Sequence, residues 1–163
     1  MATTSAGDLV RRIRERIREI PDFPRPGIGF KDVTPVLADA DLFSAVVARL
    51  VDGFARQGID RVVGIEARGF IFAAPVAVQL GAGFVPVRKP GKLPYRTVRV
   101  EYELEYGVDA LEAHADAIRP GQRVLIVDDV LATGGTAEGT ARLLRSLGAE
   151  IVGASFVVEL AFL

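Results

Sequence analysis

Residues 124–136 read Val-Leu-Ile-Val-Asp-Asp-Val-Leu-Ala-Thr-Gly-Gly-Thr, and this stretch decides the fold. Its first four residues are aliphatic and mostly β-branched, which is typical of a short strand buried on both faces. We expect that strand to end at the adjacent carboxylates of Asp128 and Asp129. A turn of small residues and glycines follows, and residues 137–147 have the pattern of a helix. The stretch therefore predicts a strand, a turn and a helix in direct succession.

The turn and the start of that helix form a candidate anion site. Glycines let backbone N–H groups approach a phosphate closely, and a helix N-terminus adds positive potential. No lysine follows the glycines, so the turn is not a Walker A loop. The acid pair beside it could hold a metal if it stood alone, but carboxylates are also good acceptors for two hydroxyl protons. Next to a phosphate site, we favour a ribose diol as the ligand of Asp128 and Asp129.

The composition of the whole chain narrows the class of protein. Its 163 residues are enough for one domain with a real core, and its net charge of −1 gives no electrostatic footprint for non-specific nucleic-acid binding. The lack of cysteine excludes disulfides and thiolate chemistry, and a single histidine disfavours a His-based triad or metal site. We expect no signal peptide, because residues 11–18 are rich in arginine, and no transmembrane run. These features predict a soluble, cytoplasmic α/β protein.

Strands and helices alternate along most of the chain. The apolar spacing predicts helices over residues 8–20, 40–57, 70–80 and 109–118 and strands over residues 61–65, 83–88 and 151–160. Residues 95–106 alternate between apolar and charged side chains, which predicts a β-ribbon with one face in water. Strands that alternate with helices predict a parallel sheet with right-handed crossovers.

Two more loops carry candidate anion-binding side chains. Arg68 follows the strand at residues 61–65, at the edge where open α/β sheets bind ligands, although a surface salt bridge with Glu66 is the alternative. Arg88, Lys89 and Lys92 surround a Pro-Gly turn and could form a mobile anion clamp, although a solvated turn is the alternative.

The segment from Pro21 to Phe30 cannot form regular structure, because it contains three prolines and two glycines. Long irregular segments inside compact domains are often functional. Phe30 is placed to stack on a planar ring, and the alternative is that Phe23 and Phe30 fill the core.

Together these motifs resemble a known family. Residues 124–136 resemble the signature peptide of the type I phosphoribosyltransferases, enzymes that use phosphoribosyl pyrophosphate. The resemblance covers the chain from about Ile13 to its end. Three further segments, the third in two parts, are similar to family members that act on adenine, and the final Val158-Glu-Leu160 also fits. The three segments are Pro21-Asp-Phe-Pro with Pro26-Gly-Ile-Gly-Phe-Lys-Asp32, Glu66-Ala-Arg-Gly-Phe70, and Arg88-Lys-Pro-Gly-Lys-Leu-Pro94 with Leu104-Glu-Tyr-Gly107.

The resemblance implies an architecture and a set of partners. The fold would be a parallel sheet flanked by helices in a single domain, residues 1–163. An N-terminal base-recognition segment would span residues 1–35, and a mobile β-ribbon hood would span residues 88–107. The protein would be a homodimer, with Mg²⁺ held mainly through phosphoribosyl pyrophosphate and with no nucleic-acid or membrane partner.

The resemblance also implies an activity, transfer of the 5-phosphoribosyl group to adenine to give AMP and pyrophosphate in purine salvage. Asp128 and Asp129 would hold the ribose hydroxyls. Glu105 and Tyr106 would lie on the hood, with Glu105 near the purine proton that leaves. The 5′-phosphate would be held by Ala132, Thr133, Gly134, Gly135 and Thr136. The pyrophosphate would be held by Arg68, Arg88, Lys89 and Lys92, beside a non-proline cis peptide between Glu66 and Ala67. Adenine would meet the ring of Phe30 and the backbone of Gly29 and Lys31.

Three alternatives stay open at this point. A phosphoribosyltransferase for hypoxanthine, guanine or xanthine would differ in how it recognises position 6 of the purine. A regulator that senses phosphoribosyl pyrophosphate and binds nucleic acid would need a basic face, which the net charge of −1 disfavours. A structural protein with a relic site would have no reason to keep Arg68, Glu105 and the acid pair.

Overall fold

The computed structural model describes residues 6–104 and 107–160. These residues group into two compact units, Met1–Arg49 and Leu50–Leu163, and each is considered on its own. No helix of the described residues is long and apolar enough to cross a membrane.

The first unit contains two short strands and three helices, the last of which runs on into the second unit. Its elements are α1 (Ala6–Arg16), β1 (Arg18–Ile20), β2 (Phe30–Asp32), α2 (Thr34–Ala38) and α3 (Ala40–Asp52). The helix predicted over residues 8–20 is wrong at its end, because residues 18–20 form β1, which pairs antiparallel with β2. Arg18 opposes Asp32 and Glu19 opposes Lys31, so cross-strand ion pairs support this ribbon against the helical pattern.

The second unit contains a parallel sheet, a hairpin and two helices. Its elements are β3 (Arg61–Ile65), α4 (Gly69–Leu80), β4 (Gly83–Val87), β5 (Thr97–Leu104), β6 (Gly107–His114), β7 (Arg123–Leu131), α5 (Gly135–Ser146) and β8 (Glu150–Glu159). The sheet has the order β4-β3-β7-β8, and each neighbouring pair is parallel. The predicted parallel sheet flanked by helices is confirmed.

The two helices cover opposite faces of the sheet. Gly64 of β3 lies against Ala73 of α4, whereas its neighbours Val63 and Ile65 belong to a buried cluster with Leu143 and Leu144 of α5. Successive residues of a strand point to opposite faces, so α4 and α5 must lie on different sides. Burial of both faces explains why Val124 to Val127 form a continuous apolar run.

The hairpin of β5 and β6 corrects one prediction. Residues 109–118 were expected to form a helix, but β6 extends to His114 and pairs antiparallel with β5. Alanine, leucine and glutamate in this segment favour a helix, yet Leu111 and Ala113 are buried opposite Val100 and Val98. Tertiary packing therefore overrides local propensity in β6. The predicted alternation along β5 is confirmed, since its charged residues face solvent while Tyr102 is buried.

Candidate active site

A cavity of about 410 Å³ lies at the carboxyl ends of β3 and β7. These strands are parallel neighbours, so the residues that follow them meet at one edge of the sheet. The cavity wall includes many of the residues predicted from the sequence: Glu66, Ala67, Arg68, Lys89, Asp128, Asp129, Ala132, Thr133, Gly134 and Thr136.

The turn after β3 has the backbone that the resemblance implies. The peptide bond between Glu66 and Ala67 is cis. Arg68 precedes α4, which begins at Gly69. A Cβ on Gly69 would lie 2.5 Å from Oδ1 of Asp128, so this position has no room for a side chain. Gly69 therefore lets the turn after β3 approach the acid pair of β7.

The turn after β7 consists of small residues and leads directly into α5. Strand β7 runs on to Leu131, beyond the predicted end at the acid pair, so Asp128 and Asp129 lie within the strand. Gly134 has a φ of 87° in the left-handed region and precedes the first residue of α5. Thr133 is exposed and Thr136 is half-buried. The N–H groups at the start of α5 thus adjoin the cavity, as the anion-site prediction requires.

The two carboxylates of the acid pair have different environments. Asp129 is buried, and its Oδ2 lies 2.7 Å from Nε of Arg68. Asp128 accepts a hydrogen bond of 2.9 Å from the backbone N–H of Asp129. Burial, followed by the negative charge of Asp129, raises the pKa of Asp128 to about 7. At neutral pH the pair is therefore close to taking up one proton.

Carboxylates also hold the other cations of the site. Glu66 has a buried side chain that pairs with Nε of Arg88 at 2.8 Å and with the ammonium of Lys92. Burial alone would raise the pKa of Glu66, but the hydrogen bonds from Lys92 and Arg88 outweigh it and lower that pKa. Lys89 pairs with Asp109. The predicted alternative for Arg68, a salt bridge with Glu66, is replaced by its pair with Asp129.

Tyr102 and Asp109 are polar contacts of this site that the sequence analysis missed. The Tyr102 hydroxyl lies 3.1 Å from the Lys89 ammonium and 3.2 Å from Oδ2 of Asp109. Alternation along β5 predicted that Tyr102 faces inward but gave no partner for its hydroxyl. Asp109 was assigned to a helix, where no contact with Lys89 could be foreseen.

The predicted base-recognition residues lie in the first unit. Phe30 meets Phe23 edge to face, with ring centroids 5.0 Å apart. The Phe23 side chain is half exposed, so it does not fill the core. Lys31 pairs with Glu19 at 2.9 Å, and Gly29 precedes β2. The irregular path predicted from Pro21 to Phe30 is confirmed as far as Gly29, but Phe30 is the first residue of β2.

Two predicted hood residues, Glu105 and Tyr106, lie outside the described residues. In the parts of the chain that are described, no group of three acidic or histidine side chains could hold a metal ion.

Comparison with known proteins gives a consistent result. The family described as "Phosphoribosyl transferase domain" matches residues 37–160. The chain is 59% identical over 155 residues to the adenine phosphoribosyltransferase of Myxococcus xanthus, covering 95% of this chain and 84% of that protein. It is 58% identical to the enzyme of the same name from Acidothermus cellulolyticus, over 96% of this chain and 88% of that protein.

Solved structures agree with these sequence relatives. The adenine phosphoribosyltransferase of Rhodothermus marinus is similar with a TM-score of 0.93 and 53% identity, covering 96% of this chain and 89% of that one. The enzyme of Saccharomyces cerevisiae, in complex with adenine and an imino-altritol bisphosphate, has a TM-score of 0.89 and 39% identity, covering 96% and 91%.

Proposed function

The chain belongs to the phosphoribosyl transferase domain family, and within it to the adenine phosphoribosyltransferases. On this basis we propose an activity for the protein and a role for each residue of its site. The protein transfers the 5-phosphoribosyl group from phosphoribosyl pyrophosphate to adenine, giving AMP and pyrophosphate in purine salvage. The observation that carries this proposal is the cavity at the ends of β3 and β7, which combines an acid pair, a glycine-containing turn before α5 and the cations Arg68 and Lys89.

The ribose phosphate half of the substrate binds to the end of β7. Asp128 and Asp129 accept hydrogen bonds from the ribose hydroxyls, and a proton on Asp128 near neutral pH would let it donate one as well. The 5′-phosphate meets the helix N-terminus, where the potential is positive and N–H groups are available. Its binding residues are Ala132, Thr133, Gly134, Gly135 and Thr136.

The pyrophosphate half binds to Arg68, Arg88, Lys89 and Lys92, beside the backbone of Glu66 and Ala67. Each of these cations is paired with Asp129, Glu66 or Asp109 before the ligand arrives. Pyrophosphate must therefore share or replace carboxylate partners, and its higher charge favours the exchange.

The adenine ring stacks on Phe30, and its edge meets backbone groups of Gly29 and Lys31. An aromatic ring held edge to face by Phe23 is suited to this role, because its orientation is already restricted. On the hood, Glu105 takes up the purine proton and Tyr106 covers the reacting groups.

The reaction forms a bond between the adenine nitrogen and C1 of the ribose while the bond from C1 to pyrophosphate breaks. The electron pair of the broken bond leaves with the pyrophosphate oxygen, and the proton of the attacking nitrogen passes to Glu105. Charge therefore develops on the ribosyl carbon and on the leaving group. Arg68, Arg88 and Lys89 stabilise the leaving group, and a fixed arrangement of cations is more effective than solvent water.

Magnesium would be held mainly through phosphoribosyl pyrophosphate. The acid pair is partly neutralised, since Asp129 pairs with Arg68 and the pKa of Asp128 is raised by burial and by the charge of Asp129. This donor set fits an ion whose ligands are mostly oxygens of phosphoribosyl pyrophosphate, with few from the protein. The ion would neutralise part of the charge on pyrophosphate.

The protein acts as a homodimer and a single domain, residues 1–163, in the cytoplasm. An apolar stripe on α4 supports the dimer: Ile71, Ala74 and Val78 share one face and are all exposed, Val78 by 81%. Val78→Glu should convert the dimer to a monomer in analytical ultracentrifugation, whereas the neighbouring control Gln79→Glu should not. Sedimentation of the wild type as a monomer would contradict the dimer.

The activity is tested by measuring pyrophosphate release with each purine base in turn, in the presence of phosphoribosyl pyrophosphate and magnesium. Adenine should be the preferred base. Release with hypoxanthine and none with adenine would overturn the specificity, and release with no base at all would overturn the reaction.

A further inference from the structure

Three side chains meet where the hairpin of β5 and β6 adjoins the cavity. The ammonium of Lys89 donates to the Tyr102 hydroxyl at 3.1 Å and to Oδ2 of Asp109. The Tyr102 hydroxyl in turn donates to the same Oδ2 at 3.2 Å. We refer to Lys89, Tyr102 and Asp109 as the Lys89 cluster.

The Lys89 cluster is held firmly by its surroundings. The Tyr102 ring is buried and packs on Gly139 of α5, where an added Cβ would come within 2.9 Å of the ring. The other carboxylate oxygen of Asp109 accepts the N–H of Ala110 at 2.8 Å. Burial would lower the pKa of Lys89, but its hydrogen bonds to Asp109 and Tyr102 outweigh burial and raise that pKa. The ammonium is therefore fixed in place and charged at neutral pH.

Only one member of the cluster belongs to the cavity wall. Lys89 lines the cavity, whereas Tyr102 and Asp109 are not among the lining residues. An ammonium has three N–H groups, and the two described partners use two of them. One N–H is left for a ligand oxygen, in a direction that the two partners restrict.

We propose that Tyr102 and Asp109 are positioning residues that hold Lys89 where it meets the pyrophosphate group of the substrate. The inference rests on the proposed function, which places pyrophosphate in this cavity. Both act on the substrate through other side chains. Asp109 acts through Lys89, whereas the Tyr102 hydroxyl contacts Lys89 and also accepts a hydrogen bond of 3.5 Å from Thr136.

The opposite effect, in which Asp109 withdraws Lys89 from the ligand, is disfavoured by the charges. Asp109 shares its negative charge among the ammonium, the Tyr102 hydroxyl and the N–H of Ala110, so it neutralises Lys89 incompletely. Tyr102 carries no charge and orients the ammonium without weakening its field. A lysine side chain loses much rotamer freedom when it binds a ligand, and earlier fixation removes that cost from the binding step.

The test uses the full chain and two binding ligands. Tyr102→Phe removes one hydroxyl and keeps the buried ring, and Asp109→Ala removes the carboxylate, with Asp109→Asn as a second variant that preserves the volume. Asp116→Asn is a matched control at an exposed position outside the cluster and outside the hood. Calorimetry measures the Kd of inorganic pyrophosphate with magnesium, and steady-state kinetics measure the KM of each substrate.

We expect Tyr102→Phe and Asp109→Ala each to raise the Kd of pyrophosphate and the KM of phosphoribosyl pyrophosphate about three- to tenfold, the effect of one ordinary hydrogen bond. The KM of adenine and the control variant should stay at wild-type values. In a Lys89→Met background Asp109→Ala should have no further effect, because the residue through which it acts is gone. Tyr102→Phe should have a smaller effect than in the wild type, because its contact with Thr136 remains to be lost.

Several outcomes would overturn the inference. A lower Kd in Asp109→Ala would mean that Asp109 withdraws Lys89, and equal losses in the Lys89→Met background would mean a merely structural role. If Asp109→Ala does not fold, Asp109→Asn and Tyr102→Phe decide by the same criteria. A wild-type protein that binds pyrophosphate but has no adenine-dependent turnover would overturn the proposed function while the calorimetric cycle could still support the cluster.

Discussion

The turns that follow β3 and β7 face the same cavity but are built from different parts of the chain. After β3 the groups that face the cavity are side chains, chiefly Arg68, which is paired with a carboxylate from another strand. After β7 the cavity is lined by small residues of the turn and by the N-terminus of α5, where a helix leaves its first N–H groups without intrahelical partners. A ligand must therefore exchange ion-pair partners at the first turn, whereas no ion pair of the described residues involves the second turn.

This difference teaches where each half of the site is vulnerable. The turn after β7 depends on local backbone conformation, so its chemistry is contained in one continuous stretch. The turn after β3 depends on Asp129 and on the approach of Gly69 to Asp128, so distant residues control it. The pair between Arg68 and Asp129 is the point where the two turns are joined.

Asp129→Asn breaks the ion pair with Arg68 and should have the largest effect on substrate binding. It removes the charge that pairs with Arg68 and one acceptor for the ribose hydroxyls. Hydrogen bonds to charged groups contribute about 1.5–3 kcal/mol, so affinity for phosphoribosyl pyrophosphate should fall roughly ten- to hundredfold. Titration calorimetry measures this affinity, and circular dichroism checks that the fold is retained. Unchanged affinity would contradict the role of Asp129.

The pH dependence of the free energy of unfolding tests the environment of Asp128, the other carboxylate of the acid pair. The pKa of Asp128 is raised by burial and by Asp129 from 3.8 to about 7, so the folded protein binds a proton that the unfolded chain has released. Its contribution to the free energy of unfolding is therefore highest below pH 4 and falls as pH rises toward about 7.

Urea unfolding of the wild type and of Asp128→Asn at pH 5 and pH 8 measures this contribution. Asparagine cannot ionise, so the variant should gain stability relative to the wild type between the two pH values, by on the order of 2 kcal/mol. The comparison cancels the carboxylates whose pKa is lowered, such as Glu66 and Asp109, because both proteins contain them. A difference that does not change with pH would mean that Asp128 is ionised throughout.

Gly69→Ala should have the smallest effect of the three. The new Cβ would collide with the Asp128 carboxylate, which can turn aside only by leaving its place in the acid pair. We expect a loss of stability of about 1 kcal/mol, at the low end for overpacking, together with weaker binding of phosphoribosyl pyrophosphate. Gly53→Ala is the control, since no atom lies within 4 Å of a Cβ at that position. Equal behaviour of the two variants in thermal melts and calorimetry would show that the close approach is unimportant.

The features that could be predicted from the sequence are those that depend on one continuous stretch of chain, as the turn after β7 does. The succession from Val124 to Thr136 was readable because hydrophobic burial, glycine and helix start act within a few residues of each other. The helix predicted over residues 8–20 was too long, and β6 was predicted as a helix. Both errors arise because β1 and β6 form only through pairing with other segments of the chain. For Tyr102 the sequence indicated which way the side chain faces but not what its hydroxyl contacts.

The sequence by itself determined the parallel α/β architecture, the acid pair and the phosphate-binding turn, because each depends on residues that are neighbours in the chain. Only the tertiary structure decided which carboxylate holds which cation. Arg68 pairs with Asp129 rather than Glu66, and Lys89 pairs with Asp109. Those pairings depend on where separate strands and loops place their side chains. The sequence shows which residues are charged but not the distances between their charged groups in the fold.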